Sequence, residues 1–184
     1  QRVAQPDAAG PRDQFLAHGA AQWAAGDAAS AAAWAAQLPP GTLRDELLAR
    51  TALAQAGRQP AEAAALAHGG LPPGPAREAA LVQIAQRWVQ ADPPGTLAWL
   101  ATLVDAPVRL QATEQVFQIW VQQDAGGLEQ WLRTAPPGTE RDQALGSVAR
   151  FTSRTNAAGA AAWLAQMGDP ALRAATQARL PAPP

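Results

Sequence analysis

Residues 120–141, WVQQDAGGLEQWLRTAPPGTER, decide how the rest of the chain is read. They carry Trp120, then Asp124, Trp131, a Pro-Pro-Gly and Arg141. The same marks at the same spacing return as Trp88, Asp92, Trp99 and Arg109, and as Trp23, Asp27, Trp34 and Arg44. Two weaker copies keep the register: Pro60, Leu71 and Arg77, and Asn156, Trp163, Met167 and Arg173. Arginines therefore fall at 12, 44, 77, 109, 141 and 173, in steps of 32 or 33 residues. All seven tryptophans occupy one of the two Trp positions of this frame. A period of that size marks stacked repeats, each unable to bury its apolar face alone.

Each unit resolves into two helices. The first, helix A, is expected to open at Asp27, Asp92, Asp124 or Asn156, whose side-chain oxygens suit an N-cap. In the unit without such a residue the helix is expected to begin near Gln59, with Pro60 in its first turn. The apolar stripe at cap +4, +7, +8 and +11 (Leu128, Trp131, Leu132, Ala135) lies on one helical face. Pro-Pro-Gly at 39–41, 72–74 and 136–138 ends helix A, because proline cannot continue it. The same tripeptide at 93–95 stands at a helix start instead. Helix B opens near the ladder arginine, with its stripe at Arg +4, +7, +8 and +11, as in Leu81, Ile84, Ala85 and Trp88. The expectation is an all-α, right-handed α/α solenoid of about five hairpins and about eleven helices. Residues 1–11 read as a flexible lead-in, 12–180 as one helical-repeat domain and 181–184 as a Pro-rich tail.

The frame resembles the α/α repeat class, the tetratricopeptide-like and Sel1-like helical-hairpin arrays, over residues 12–180. The unit departs from the tetratricopeptide pattern: it is 32 residues long against about 34, tyrosine is absent, and W-x-x-L-G-x-x-Y is missing. The resemblance implies a right-handed stack that binds proteins or peptides. It implies no activity, and it brings no binding residue with it.

Composition narrows the function. Formal net charge is −1, which argues against a general nucleic-acid or anionic-membrane binder. All fourteen basic residues are arginine. The chain has no cysteine, which excludes disulfides, thiolate metal sites and a cysteine nucleophile. No apolar run approaches the roughly 20 residues that span a bilayer. The sequence begins at Gln1 rather than methionine, and the localisation expected from that is periplasmic or exported, with the cytoplasm as the alternative.

The side chains that could do chemistry read more simply as structure. The tryptophans share stripes with leucine, valine and phenylalanine and are expected to fill gaps between alanine-rich helices. Each ladder arginine is expected to serve the carbonyl end of the preceding helix A. His18 and His68 lie in different units. Ser30, Ser147 and Ser153 stand in no nucleophile elbow, and Gly-Gly at 69–70 and 126–127 lacks the strand a phosphate loop needs. Asp45–Glu46 and Glu140–Asp142 are expected to be solvated helix starts.

The first reading is a non-catalytic scaffold for protein–protein interaction, an accessory subunit of a larger bacterial envelope complex. Its partner is another protein or multi-subunit complex, with no cofactor, metal or nucleic acid. The alternative is a ligand-binding module that grips a glycan or acidic peptide with exposed Trp or Arg; an enzyme ranks third. Partner contact is expected at Phe15 and Leu16, on a first helix B that no helix A precedes.

Overall fold

A computed structural model describes residues 19, 22, 23 and 26–180. Arg12, Phe15, Leu16 and His18 lie outside the described residues. All the regular structure among the described residues is helical. The ten helices with defined bounds are α1 (Ala28–Ala36), α2 (Thr42–Gln55), α3 (Pro60–Gly70), α4 (Pro75–Trp88) and α5 (Pro93–Leu100). Then follow α6 (Ala106–Gln123), α7 (Ala125–Thr134), α8 (Thr139–Thr152), α9 (Ala157–Ala165) and α10 (Pro170–Ala178). Odd numbers are A helices and even numbers B helices. Gln22, Trp23 and Gly26 are also helical, ahead of α1.

The helix starts follow from capping chemistry. Asp27 accepts the Ser30 amide at 3.0 Å, Asp92 that of Gly95 at 2.9 Å, and Asp124 that of Gly127 at 2.8 Å. Asn156 does the same for Gly159 at 2.8 Å. Each bond satisfies a first-turn N–H that no helical carbonyl can reach. Helix α3 begins at Pro60 behind Gln59, which offers no capping bond. The B helices start two or three residues before the ladder arginine, which therefore sits in their first turn. Where Pro-Pro-Gly precedes them, the glycine holds a positive φ; at Gly74 it is +142°, a region that side chains with a Cβ avoid. Where the tripeptide is missing, Asp105 and Asp169 cap α6 and α10 with their carboxylates.

The chain divides into two compact units, one running to Trp88 and the other starting at Val89. In the first, α1 packs on α2, α2 on α3 and α3 on α4, and the two B helices α2 and α4 touch each other. In the second, neighbours pack in the same way from α5 to α10, and the B helices α6, α8 and α10 touch in succession. This is solenoid-like packing, neighbour against neighbour, with a continuous layer of B helices within each unit.

The predicted stripes face the interiors. Leu81, Ile84 and Ala85 are buried, as are Thr113, Val116, Phe117 and Trp120, and Leu145, Val148 and Ala149. On the A helices Leu128 and Leu132, Ala160 and Leu164, and Thr96 and Leu100 are buried. The tryptophans are less uniform than the frame implies. Trp120 is buried, whereas Trp34, Trp88, Trp99, Trp131 and Trp163 are half-buried and Trp23 is 44% exposed. The position seven residues past each A-helix cap sits at the margin of the stripe, so its ring covers the core edge rather than filling the centre.

Candidate functional site

The ladder arginines do several different jobs. The Arg109 guanidinium donates to the Leu103 carbonyl, just past the end of α5, as a cap on the preceding helix A should. Arg141 donates instead to the Gln166 carbonyl at 3.4 Å, which closes the end of the following helix A. Arg44 stands 3.6 Å from Asp45, its neighbour in sequence. Arg77 and Arg173 are half-buried and make no side-chain hydrogen bond or ion pair among the described residues. A further arginine outside the ladder, Arg87 on α4, donates to the Leu53 carbonyl in the last turn of α2.

Asp142 corrects the reading of Glu140–Asp142 as a solvated pair. Its carboxylate is buried and accepts the backbone amides of Gly168 at 3.0 Å and Asp169 at 2.7 Å. The side chain of α8 thereby anchors the turn between α9 and α10. Glu140 is exposed, as expected. Asp45 is half-buried beside Arg44, and Glu46 is held by Arg50 at 2.6 Å.

The remaining singled-out groups stay apart. His68 is exposed in the last turn of α3. Ser30 is an exposed first-turn residue of α1, and Ser153 donates to the Arg150 carbonyl at 2.8 Å. Gly126 and Gly127 lie in the first turn of α7, and Gly69 and Gly70 end α3. No group of three or more His, Cys, Asp or Glu that could hold a metal occurs among the described residues. No helix among them is long and apolar enough to cross a membrane.

What the structure does bring together is a pair of hollows on the B-helix layer of the second unit. The larger, of about 260 Å³, lies between α6 and α8 and is lined by Gln118, Val121, Gln122, Ser147, Arg150, Phe151 and Arg154. The smaller, of about 90 Å³, is enclosed by α6, α8 and α10 and lined by Glu114, Gln143, Gly146, Arg150, Leu172, Ala175, Thr176 and Arg179. Arg150 forms the wall between them. On α6 the residues Glu114, Gln118 and Gln122 follow one another every four positions, and opposite them Gly146 and Arg150 on α8 and Arg154, in the turn just past its end, keep the same spacing. Two such rows on touching helices face each other across a groove.

Arg150 is the electrostatic centre of this face. Its guanidinium donates to Ser147 Oγ at 3.1 Å and stands 3.6 Å from the Glu114 carboxylate. Burial holds it below the ordinary arginine value; Glu114 opposes that shift and Arg179 adds to it. Glu114 also accepts a bond from Gln118 Nε2 at 3.3 Å. The buried Gln143 Oε1 at the small hollow has no hydrogen-bond partner. Phe151 is 40% exposed at the rim of the larger hollow. Gly146 lets α8 approach α10: a Cβ there would come within 3.3 Å of Thr176 Oγ1.

The sequence reading did not find this face. Its spacing signal was present in part, since Glu114, Gln118 and Gln122 recur every four positions on α6, and Arg150 and Arg154 stand four apart at the end of α8. Those residues acquire meaning only once two B helices touch, and that contact joins segments a full repeat apart.

No protein-family model matches the chain, and neither curated proteins nor solved structures include a significant match to it.

Proposed function

We propose that the chain is a non-catalytic helical-repeat scaffold, tetratricopeptide-like in its general plan, that holds another protein along the B-helix face of its second unit. The observation that carries this reading is the pair of adjoining hollows around Arg150, laid along consecutive touching helices. At about 90 and 260 Å³ both fall below the roughly 300 Å³ at which small-molecule sites usually begin. They fit the side chains of a docked segment better than a whole metabolite. Between them, Ser147 Oγ accepts a bond from Arg150, which fixes that guanidinium in the wall. The glycan-gripping alternative would draw on the partly exposed indoles such as Trp23, and these lie outside both hollows.

A photo-crosslinking side chain placed at Gln122, exposed beside the larger hollow, tests the proposal against one at Gln130, exposed on α7. Adducts with a discrete protein from Gln122 and none from Gln130 are expected in extracts of the native cell. Equal labelling from both positions would remove the B-helix face from consideration.

A further inference from the structure

The larger hollow is lined by two guanidinium groups, Arg150 and Arg154, and by no carboxylate. The one acid that meets Arg150, Glu114, lines the smaller hollow instead. It stands at 3.6 Å, beyond the ~2.7–2.9 Å of a strong charged hydrogen bond, and shares its carboxylate with Gln118. Arg154 and Arg179 form no ion pair among the described residues. The face therefore presents three arginines against one glutamate, in a chain whose formal net charge is −1. A positive groove on a slightly acidic protein selects short anionic segments; a long polyanion such as nucleic acid would meet the chain's other acids. A partly desolvated guanidinium with an imperfect partner gains most from a second carboxylate.

We infer that the larger hollow receives an aspartate or glutamate side chain from an acidic segment of the partner protein, gripped by Arg150 and Arg154. This rests on the scaffold reading and names its ligand class. Ser147 and Arg150 form the floor at the α8 side, Gln118 and Gln122 supply amide donors from α6, and Phe151 covers the segment's apolar flank. Arg179 extends the positive charge past the smaller hollow, towards the next residues of the segment.

The test is fluorescence anisotropy of the whole chain with a labelled oligoglutamate peptide. An oligoglutamine peptide of equal length and a single-stranded oligonucleotide serve as comparisons. Oligoglutamate should bind, oligoglutamine should not, and affinity should fall as salt rises. Arg154→Gln, an exposed position, should weaken binding about tenfold or more, as loss of a charge-assisted bond does. Arg154→Glu should abolish it, with circular dichroism verifying that both variants stay folded. Oligoglutamate binding that is absent, or unchanged in folded Arg154→Glu, overturns the inference. Tighter, Arg154-dependent binding of the oligonucleotide overturns it in favour of nucleic acid. If Gln122 crosslinks a protein while oligoglutamate fails to bind, the acidic ligand falls and the scaffold reading stands.

Discussion

The two units are built on one repeat frame but fill their interiors differently. Among the described residues of the first unit, nine of the fifteen buried apolar side chains are alanine, and the largest are Leu47, Leu48, Leu71, Leu81 and Ile84. In the second unit only four of nineteen are alanine, and Phe117, Trp120, Met167, seven leucines and five valines make up the rest. An alanine interior demands that helix backbones approach closely. A leucine and aromatic interior holds them apart and buries more apolar surface per residue. The aromatic arrangement follows suit. Trp131 lies 5.4 Å from Phe117 and 6.0 Å from Trp120 in a three-ring cluster, whereas Trp23 and Trp34 meet at 6.1 Å at the surface. A repeat frame thus fixes where the helices fall along the chain without fixing which side chains fill the space between them.

The largest expected effect is at the ring cluster. Trp120→Ala should destabilise the second unit by about 3–5 kcal/mol, the usual range for a buried large-to-small change. Trp23→Ala, at a ring 44% exposed, should cost well under half as much. Denaturant unfolding of the two variants, with hydrogen exchange to locate the loss, measures both. Equal costs would mean the two cores do not differ as described. Next comes overpacking. Ala52 on α2 is fully buried, so Ala52→Leu should destabilise by about 1–3 kcal/mol through forced separation of the helices. A neutral or stabilising result would show the alanine interior to be loose rather than close.

Asp142→Ala should cost about 1–3 kcal/mol, because it leaves the Gly168 and Asp169 amides without their acceptor. Amide exchange at those two residues should quicken more than that at the exposed cap amides of Gly127 and Gly159. Unaltered exchange at 168 and 169 would break the assignment. The smallest effect is at Asp27, whose carboxyl is held below the usual carboxylate range by Ser30, through its side chain and then its backbone N–H. A depressed folded value means the cap stabilises α1 above the unfolded pKa and loses that contribution as pH falls through the folded one. The Ser30 amide resonance should therefore titrate below the ordinary aspartate range, and Asp27→Asn should flatten that response. A midpoint at the ordinary value would show that the cap is not held in solution.

Much of the fold was legible because its determinants are local. Asp92, Asp124 and Asn156 cap helices by reaching three residues ahead, and Pro72–Pro73 ends one by lacking N–H groups; neither needs a distant partner. The four-residue stripes likewise depend only on helical period. What the sequence withheld was set by contacts one repeat away. Asp142 looks like any acid in a first turn until the turn at 168–169 comes against it. Arg141 serves the helix after it rather than the one before. The hollows around Arg150 likewise exist only because α6, α8 and α10 touch. The indoles were misjudged for a subtler reason: periodicity assigns a face, but a ring at the edge of that face stays half in solvent.

The Asp142 contact also bears on whether the repeats are interchangeable parts. Its acceptor role needs two free amides in the facing turn, which Gly168-Asp169 provide and a prolyl turn cannot. The turn after α3 is prolyl, and there the acid at the matching place, Asp45, pairs with Arg44 instead. The turn after α7 is also prolyl, and the matching place on α6 holds Leu110, which is not an acid at all. The last unit's departure from Pro-Pro-Gly is therefore one half of a matched pair whose other half sits a repeat earlier. Grafting a Pro-Pro-Gly turn from another unit onto residues 168–170 would strand a buried carboxylate, so this junction can be transplanted only with both sides together.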